Sequence, residues 1–176
     1  ACYFTLAFRR SGALATAYEL IDGDLLTQLV EVIVNPWNTN RVPWWLLLPH
    51  GVSGAIKRRA GTAPFRELQA LGPLALGQAV LTQAGNLNYK AIIHVASITL
   101  WGRSRPDIVR AALTNALALA QRHSFASLAC PLLGSGSGGL DEDTALATML
   151  DALTHTSYNG KLLLVRYTNS AHTSSR

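Results

Sequence analysis

Apolar positions along the chain fall into two rhythms. Over 106–123, Val109, Leu113, Ala116, Leu117 and Ala120 recur at helical spacing and share one face; over 141–154, Leu146, Met149, Leu150 and Leu153 do the same. Shorter helices are expected at 51–60 and 64–71. Short apolar runs bounded by turn residues predict strands at 3–8, 16–21, 30–35, 78–84, 90–96, 126–133 and 161–167. Three of these, at 30–34, 91–95 and 128–133, are apolar on both faces, which suits a central sheet with helices on both sides. The first strands come without helices between them, so the sheet should be mixed. The expected fold class is α/β: a three-layer α/β/α sandwich around a mixed, mostly parallel sheet, with 1–176 as a single domain. The Ser-rich end at 173–176 reads as a frayed terminus.

Composition narrows the partners. At 176 residues the chain fits one domain, and 49% hydrophobic against 14% charged residues excludes a disordered protein. A formal charge of +5 favours anionic ligands, but Lys and Arg are scattered. Their one tight cluster, Lys57-Arg58-Arg59, is explained as well by a solvated helix face as by a ligand. Basic residues do not cluster with stacking aromatics, so a nucleic-acid partner is allowed but not favoured. Cys2 and Cys130 make neither a disulfide framework nor a zinc motif, and Cys130 in its apolar strand reads as a buried thiol. No cofactor or metal is expected, and a reducing, intracellular setting (cytoplasm or nucleus) is the default. No run reaches the roughly 18 apolar residues of a membrane span, and no signal peptide is visible. The start at Ala1, without Met, fits a trimmed chain or a piece of a longer one.

Three loops carry candidate chemistry. Gly134-Ser135-Gly136-Ser137-Gly138-Gly139 follows a buried strand and opens a helix. Glycines let backbone approach a ligand closely, and exposed N–H groups together with a helix dipole attract anions. The spelling also fits G-x-G-x-x-G, the dinucleotide fingerprint. The strand that would then supply a ribose-binding acid ends Val165-Arg166-Tyr167, with no Asp or Glu, although Arg166 could suit a 2′-phosphate. A second loop, Pro49-His50-Gly51-Val52-Ser53-Gly54, opens a helix and offers another anion site; His50 reads as an exposed loop residue or a contributor to it. In the third, a buried strand ends in Asn35-Pro36-Trp37-Asn38. An Asn amide can bond local backbone or a sugar hydroxyl. Upstream, Asp24 in Gly23-Asp24-Leu25 suits a turn, a helix cap or an acceptor for an exocyclic amine.

In this order the loops resemble the macro domain family. Its pattern has a G-D turn, a V-N-A-A-N strand end, a Gly-rich loop into a helix, and a late Gly-rich loop. Here these are Gly23-Asp24-Leu25, the strand end at 30–38, His50-Gly51-Val52-Ser53-Gly54-Ala55-Ile56, and 131–140, while Ile92-Ile93-His94 matches the family's I-H strand. Each motif is modest alone, and four in order across 16–167 are specific. The resemblance implies binding of ADP-ribose, free or attached to a macromolecule. Asp24 would accept from the adenine amino group beside the Leu25 amide. Asn38 would contact the distal ribose. Amides of Gly51, Val52 and Ser53 would hold that ribose and one phosphate. Those of Ser135, Gly136, Ser137 and Gly138, with Gly139, would wrap the diphosphate. Leu140 stands where many members carry an aromatic ring over the distal ribose, and Tyr167 would pack on adenine.

The departures are specific. Pro36-Trp37 replaces two small residues, the stretch 41–48 is unusually apolar and reads as a lid or a partner surface, and no helix is apparent after the last strand. Ser53 replaces an Asp of one hydrolytic branch, so two uses stay open: a reader of ADP-ribosylation, or a hydrolase. With Asn38 and Ser53 as the catalytic candidates, the expectation is firm binding and slow release, with Asn38 the more important of the two. The alternative is a Rossmann-like NAD(P)-binding domain built on 134–139.

Overall fold

The computed structural model describes residues 16–43, 45 and 51–168. Six strands, β1 (Tyr18–Asp22), β2 (Val32–Trp37), β3 (Ala79–Thr82), β4 (Ala91–Ala96), β5 (Ser127–Pro131) and β6 (Lys161–Arg166), form one sheet in the order β1-β6-β5-β2-β4-β3. All neighbours are parallel except β3 and β4. Four helices, α1 (Gly51–Ala60), α2 (Ala63–Ala70), α3 (Pro106–Arg122) and α4 (Glu142–Thr154), complete the described elements with two short 3₁₀ turns, Leu25–Thr27 and Gly136–Gly138. The mixed three-layer sandwich is as expected; the strand expected at 3–8 lies outside the described residues.

Alternation along the strands builds two cores. Val32, Val34, Ile93, Val95, Leu128 and Cys130 pack with α3 and α4, while Ile33, Trp37, Ile92, Ala96 and Ala129 pack with α1 and α2. Local chemistry starts the long helices. Pro106 opens α3 with Asp107 in its first turn, and Asp141 caps α4 by accepting from Thr144 N at 2.8 Å. Burial pushes the Cys130 thiol well above the usual range, so it is inert packing.

Strand bounds shift by no more than two residues. The largest change is β2, which ends at Trp37 rather than 35 because β4 pairs with it throughout. Its other neighbour, β5, pairs with it only at Val32↔Leu128 and Ile33↔Ala129. Beyond that point stand Pro36 on β2 and Pro131 on β5, neither with an N–H to extend a ladder. The sheet therefore opens between β2 and β5 at its carboxyl edge. The chain also changes direction there: β3 and β4 lie on one side of β2, and β5 and β6 on the other. Ligands of open α/β sheets bind at such a switch point.

On the α1/α2 face, a polar row crosses the sheet. Asn35 Nδ2 donates to His94 Nδ1 at 2.9 Å, so the ring proton is on Nε2, where it donates to Thr82 Oγ1 at 2.8 Å. Thr82 in turn donates to the Gln83 carbonyl. His94 is fully buried, packed against Phe65 and Trp37, and burial lowers its pKa from 6.5 to about 3. In the unfolded chain the ring titrates near 6.5, so below that pH the unfolded state takes up a proton that the folded state refuses. Stability should fall by about 1.4 kcal/mol per pH unit from pH 6.5 downward. Urea denaturation at pH 7, 6 and 5 should show this slope, flattened in His94→Gln; equal slopes would mean that His94 protonates in the folded protein.

Candidate functional site

A cleft of about 450 Å³ lies where the sheet opens. Its walls come from the carboxyl ends of the strands: Gly23, Asp24, Leu25 and Leu26 after β1, Pro36 on β2, Ile98 after β4, Pro131 through Ser137 except Leu133 after β5, and Val165 and Tyr167 on and after β6. Gly51, Val52, Ser53, Ala55 and Arg58 of α1 cover one side, and Glu142 of α4 closes part of the other. Strand order gives the cleft a direction. It runs from Asp24 and Tyr167 at the β1/β6 end, past the Gly-rich loop of β5, to Ile98 at the β4 end.

The two glycine loops face one another: a Cβ on Gly51 would lie 3.9 Å from Ser137 Oγ. Gly51 has φ +58°, the left-handed region, and leads directly into α1, whose first amides have no partner within the helix. Opposite, Ser135 donates its hydroxyl to the Leu132 carbonyl. The backbone amides of Ser135, Gly136 and Ser137 meet no acceptor among the described residues. The loop closes in a 3₁₀ turn and does not open α4 directly. The Asp141 carboxylate already satisfies the α4 N-terminus, so anion attraction on this side comes from loop amides.

Asp24 is both a turn residue and a cap. Its Oδ1 caps the first 3₁₀ turn by accepting from Leu26 N at 2.9 Å, while Oδ2 lies 3.7 Å from Arg59 Nη2 at the cleft mouth. The basic cluster is thus divided: Arg59 reaches Asp24, Arg58 lines the cleft, and partial burial lowers the Lys57 pKa. Ser53 lines the cleft, and its buried Oγ has no hydrogen-bond partner among the described residues. Tyr167 is exposed on the rim.

Four of the expected contact residues are not among those that line the cleft. Asn38 is not part of the lining, and its Oδ1 accepts from Asn40 N at 2.7 Å, shaping the turn after β2. Gly138 backs onto Ser104, whose Cβ would lie 2.9 Å from a Cβ there, and the Gly138 and Gly139 amides bond within their own loop. Leu140 packs against the core beneath Gly134 instead of projecting over a ligand. His50 lies outside the described residues. Conversely, Glu142 and Ile98 line the cleft without having been singled out. Glu142 reads as a helix-start acid and Ile98 as a strand-end apolar residue, and no local signal distinguishes them. Among the described residues no three His, Cys, Asp or Glu side chains gather as a metal site, and no helix is long and apolar enough to cross a membrane.

Fold and site define an α/β/α protein with a cleft between amide-rich loops at the switch point of its sheet. A family model for the macro domain matches residues 34–149. An O-acetyl-ADP-ribose deacetylase of Klebsiella pneumoniae is 36% identical over 138 residues, 75% of this chain and 76% of that protein. A Mycobacterium tuberculosis protein is 33% identical over 135 residues, 77% of this chain but 36% of that longer protein. The structure of the Oceanobacillus iheyensis macrodomain with ADP matches at a TM-score of 0.80 and 21% identity, covering 96% of this chain and 91% of that one. The chain belongs to the macro domain family. The Rossmann alternative does not fit. The sheet order is different, β3 is antiparallel, and Arg166, the candidate for a 2′-phosphate, is held by Asp22 at 2.6 Å.

The loop glycines do different jobs, which substitution should separate. At Gly134 (φ +85°) a Cβ would come within 2.8 Å of both Leu140 Cδ1 and Val109 Cγ2, whereas at Gly136 (φ +63°) nothing lies within 4 Å. Gly134→Ala should destabilise by about 2–5 kcal/mol, from left-handed strain plus overpacking. Gly136→Ala should cost only the strain, about 1–2 kcal/mol. Chemical denaturation checks both; equal losses would mean that Gly134 has room to relax.

Proposed function

We propose that the cleft binds ADP-ribose, free or attached to another molecule. The observation that carries this is the convergence of two amide-rich loops across the opening between β2 and β5, with a carboxylate at one end of the same cleft. The diphosphate fits between the α1 N-terminus and the amides of Ser135, Gly136 and Ser137, each charge-assisted bond contributing roughly 1.5–3 kcal/mol. Adenine fits the β1/β6 end, where its amino group donates to Asp24 and Tyr167 covers a face. The distal ribose then lies by Ser53, whose Oγ has no partner among the described residues and is placed to bond a ribose hydroxyl.

On this reading ADP-ribose binds with a Kd on the order of micromolar. Asp24→Ala should weaken it by roughly 1–3 kcal/mol while the fold survives, because Asp24 stands half-buried in a surface turn, outside both cores. Calorimetry with ADP-ribose and NADP tests the assignment. Tighter binding of NADP, or unchanged affinity in a folded Asp24→Ala variant, would reject it.

The same geometry favours binding over rapid hydrolysis. Releasing ADP-ribose needs a water near the anomeric carbon and a group to take its proton, a contribution of about 10²–10⁴-fold. The carboxylates among the described lining residues are Asp24 and Glu142. Asp24 is at the adenine end, and Glu142 is close enough to the β6 end to act on Arg166. At the distal end Ser53 offers only a hydroxyl. Release from a carboxylate-linked acceptor should therefore be slow or absent in single turnover. Residual activity should suffer more from Ser53→Ala than from Asn38→Ala, the reverse of the order expected from sequence, because Ser53 lines the cleft and Asn38 does not. Fast release by the unmodified protein would mark it as a dedicated hydrolase.

A further inference from the structure

The connection from β4 to α3 stands at the distal end of the cleft. Ile98 lines the cavity, and a Cβ on Gly102 would lie 3.8 Å from the Ser137 carbonyl. This connection is a built turn. Gly102 N donates to the Thr99 carbonyl at 3.0 Å, Thr99 N to the Arg103 carbonyl at 2.8 Å, and Arg103 N to Thr99 Oγ1 at 3.1 Å. Ser104 ties its base to the phosphate loop, donating N–H to the Gly138 carbonyl at 2.8 Å and its hydroxyl to the Ser97 carbonyl at 2.6 Å. The turn carries Leu100 and Trp101 at its tip, with Trp101 89% exposed. These hydrogen bonds fix the turn that holds the exposed ring in water.

Charge at this turn is unbalanced. Arg105 is held by Asp107 at 2.8 Å, and Arg110 by Asp151 at 2.8 Å, but exposed Arg103 has no acidic partner among the described residues. If the cleft holds ADP-ribose as proposed above, whatever is joined to the distal ribose leaves past Ile98 and meets Trp101 and Arg103.

We propose that Trp101 and Arg103 form a platform for a single-stranded nucleic-acid segment carrying the ADP-ribose, with a base stacked on the indole and a backbone phosphate on the guanidinium. A ring standing almost clear of the surface suits base stacking, which is tolerant of sequence. A protein partner's anchors usually fill well-packed pockets, whereas this ring stands at the tip of a projecting turn. The formal charge of +5 agrees in sign. This platform depends on the ADP-ribose reading of the cleft but is separable from it.

The test compares three probes by fluorescence anisotropy or calorimetry: free ADP-ribose, ADP-ribose joined through its distal ribose to the terminal phosphate of a short single-stranded oligonucleotide, and an ADP-ribosylated peptide. The oligonucleotide conjugate should bind about tenfold more tightly than free ADP-ribose. Trp101→Ala should abolish that gain and leave free ADP-ribose within twofold. Arg103→Ala should lower the slope of log affinity against log salt by about 0.7 for the conjugate. Equal affinity for conjugate and free ADP-ribose, or equal losses for both in Trp101→Ala, would overturn the platform while leaving the cleft assignment intact. A Trp101-dependent gain confined to the peptide would also overturn it, in favour of a protein acceptor. Failure of the unmodified protein to bind any of the three would reject the cleft assignment itself.

Discussion

The architecture depends on the early end of one β-ladder. β2 and β5 pair at only two positions before they part, while their outer neighbours continue alongside them. A parallel sheet gains from every inter-strand hydrogen bond, so a gap between two central strands needs a cause. Pro36 and Pro131 supply one, since neither can donate an N–H. The parted strands leave the phosphate loop of β5 and the α1 N-terminus on opposite sides of an opening.

The same strands are kept in place by burial. Val32, Ile33, Leu128 and Ala129 are inaccessible, which anchors the paired half of the β2–β5 ladder while the unpaired half faces the cleft. The Asn35–His94–Thr82 row ties β2 to β4 and β3 by side chains on the α1/α2 face. An unmade hydrogen bond inside a protein costs more than the bond itself contributes, so a row of this kind favours one register over its alternatives. Asn35 Oδ1 remains unpaired and buried next to Pro36, which lines the cleft. Ser53 Oγ is another buried group without a partner among the described residues, and it stands in the cleft wall.

Recognition is graded along the cleft. The β1/β6 end has a carboxylate positioned by its own turn and by Arg59. The centre has backbone amides, which suit phosphate oxygens and need no particular side chain. The distal end has a serine and, outside the cavity, an exposed aromatic turn. On the proposed reading, affinity for ADP-ribose is thus separated in space from discrimination among the molecules that carry it.

Much of this was legible in sequence because it is local. Helical spacing in 106–123, doubly apolar strands and turn residues depend on neighbours within a few positions, and they define the layers and the order of the loops. Gly51 and the glycines at 134–139 announced close backbone approach for the same reason, and Asp24 announced a turn. Tertiary structure decided which atoms meet. It turned Leu140 into the core, spent the Asn38 oxygen on Asn40, backed Gly138 onto Ser104, and gave Glu142 and Ile98 a place in the wall. It also closed the α4 N-terminus with Asp141, so the glycine loop works through its own amides. Which side of a loop faces a ligand follows from residues dozens of positions away, such as Ser104 beneath 138 or β6 beside β1. Local periodicity carries no information about those distances, and only the packed chain does.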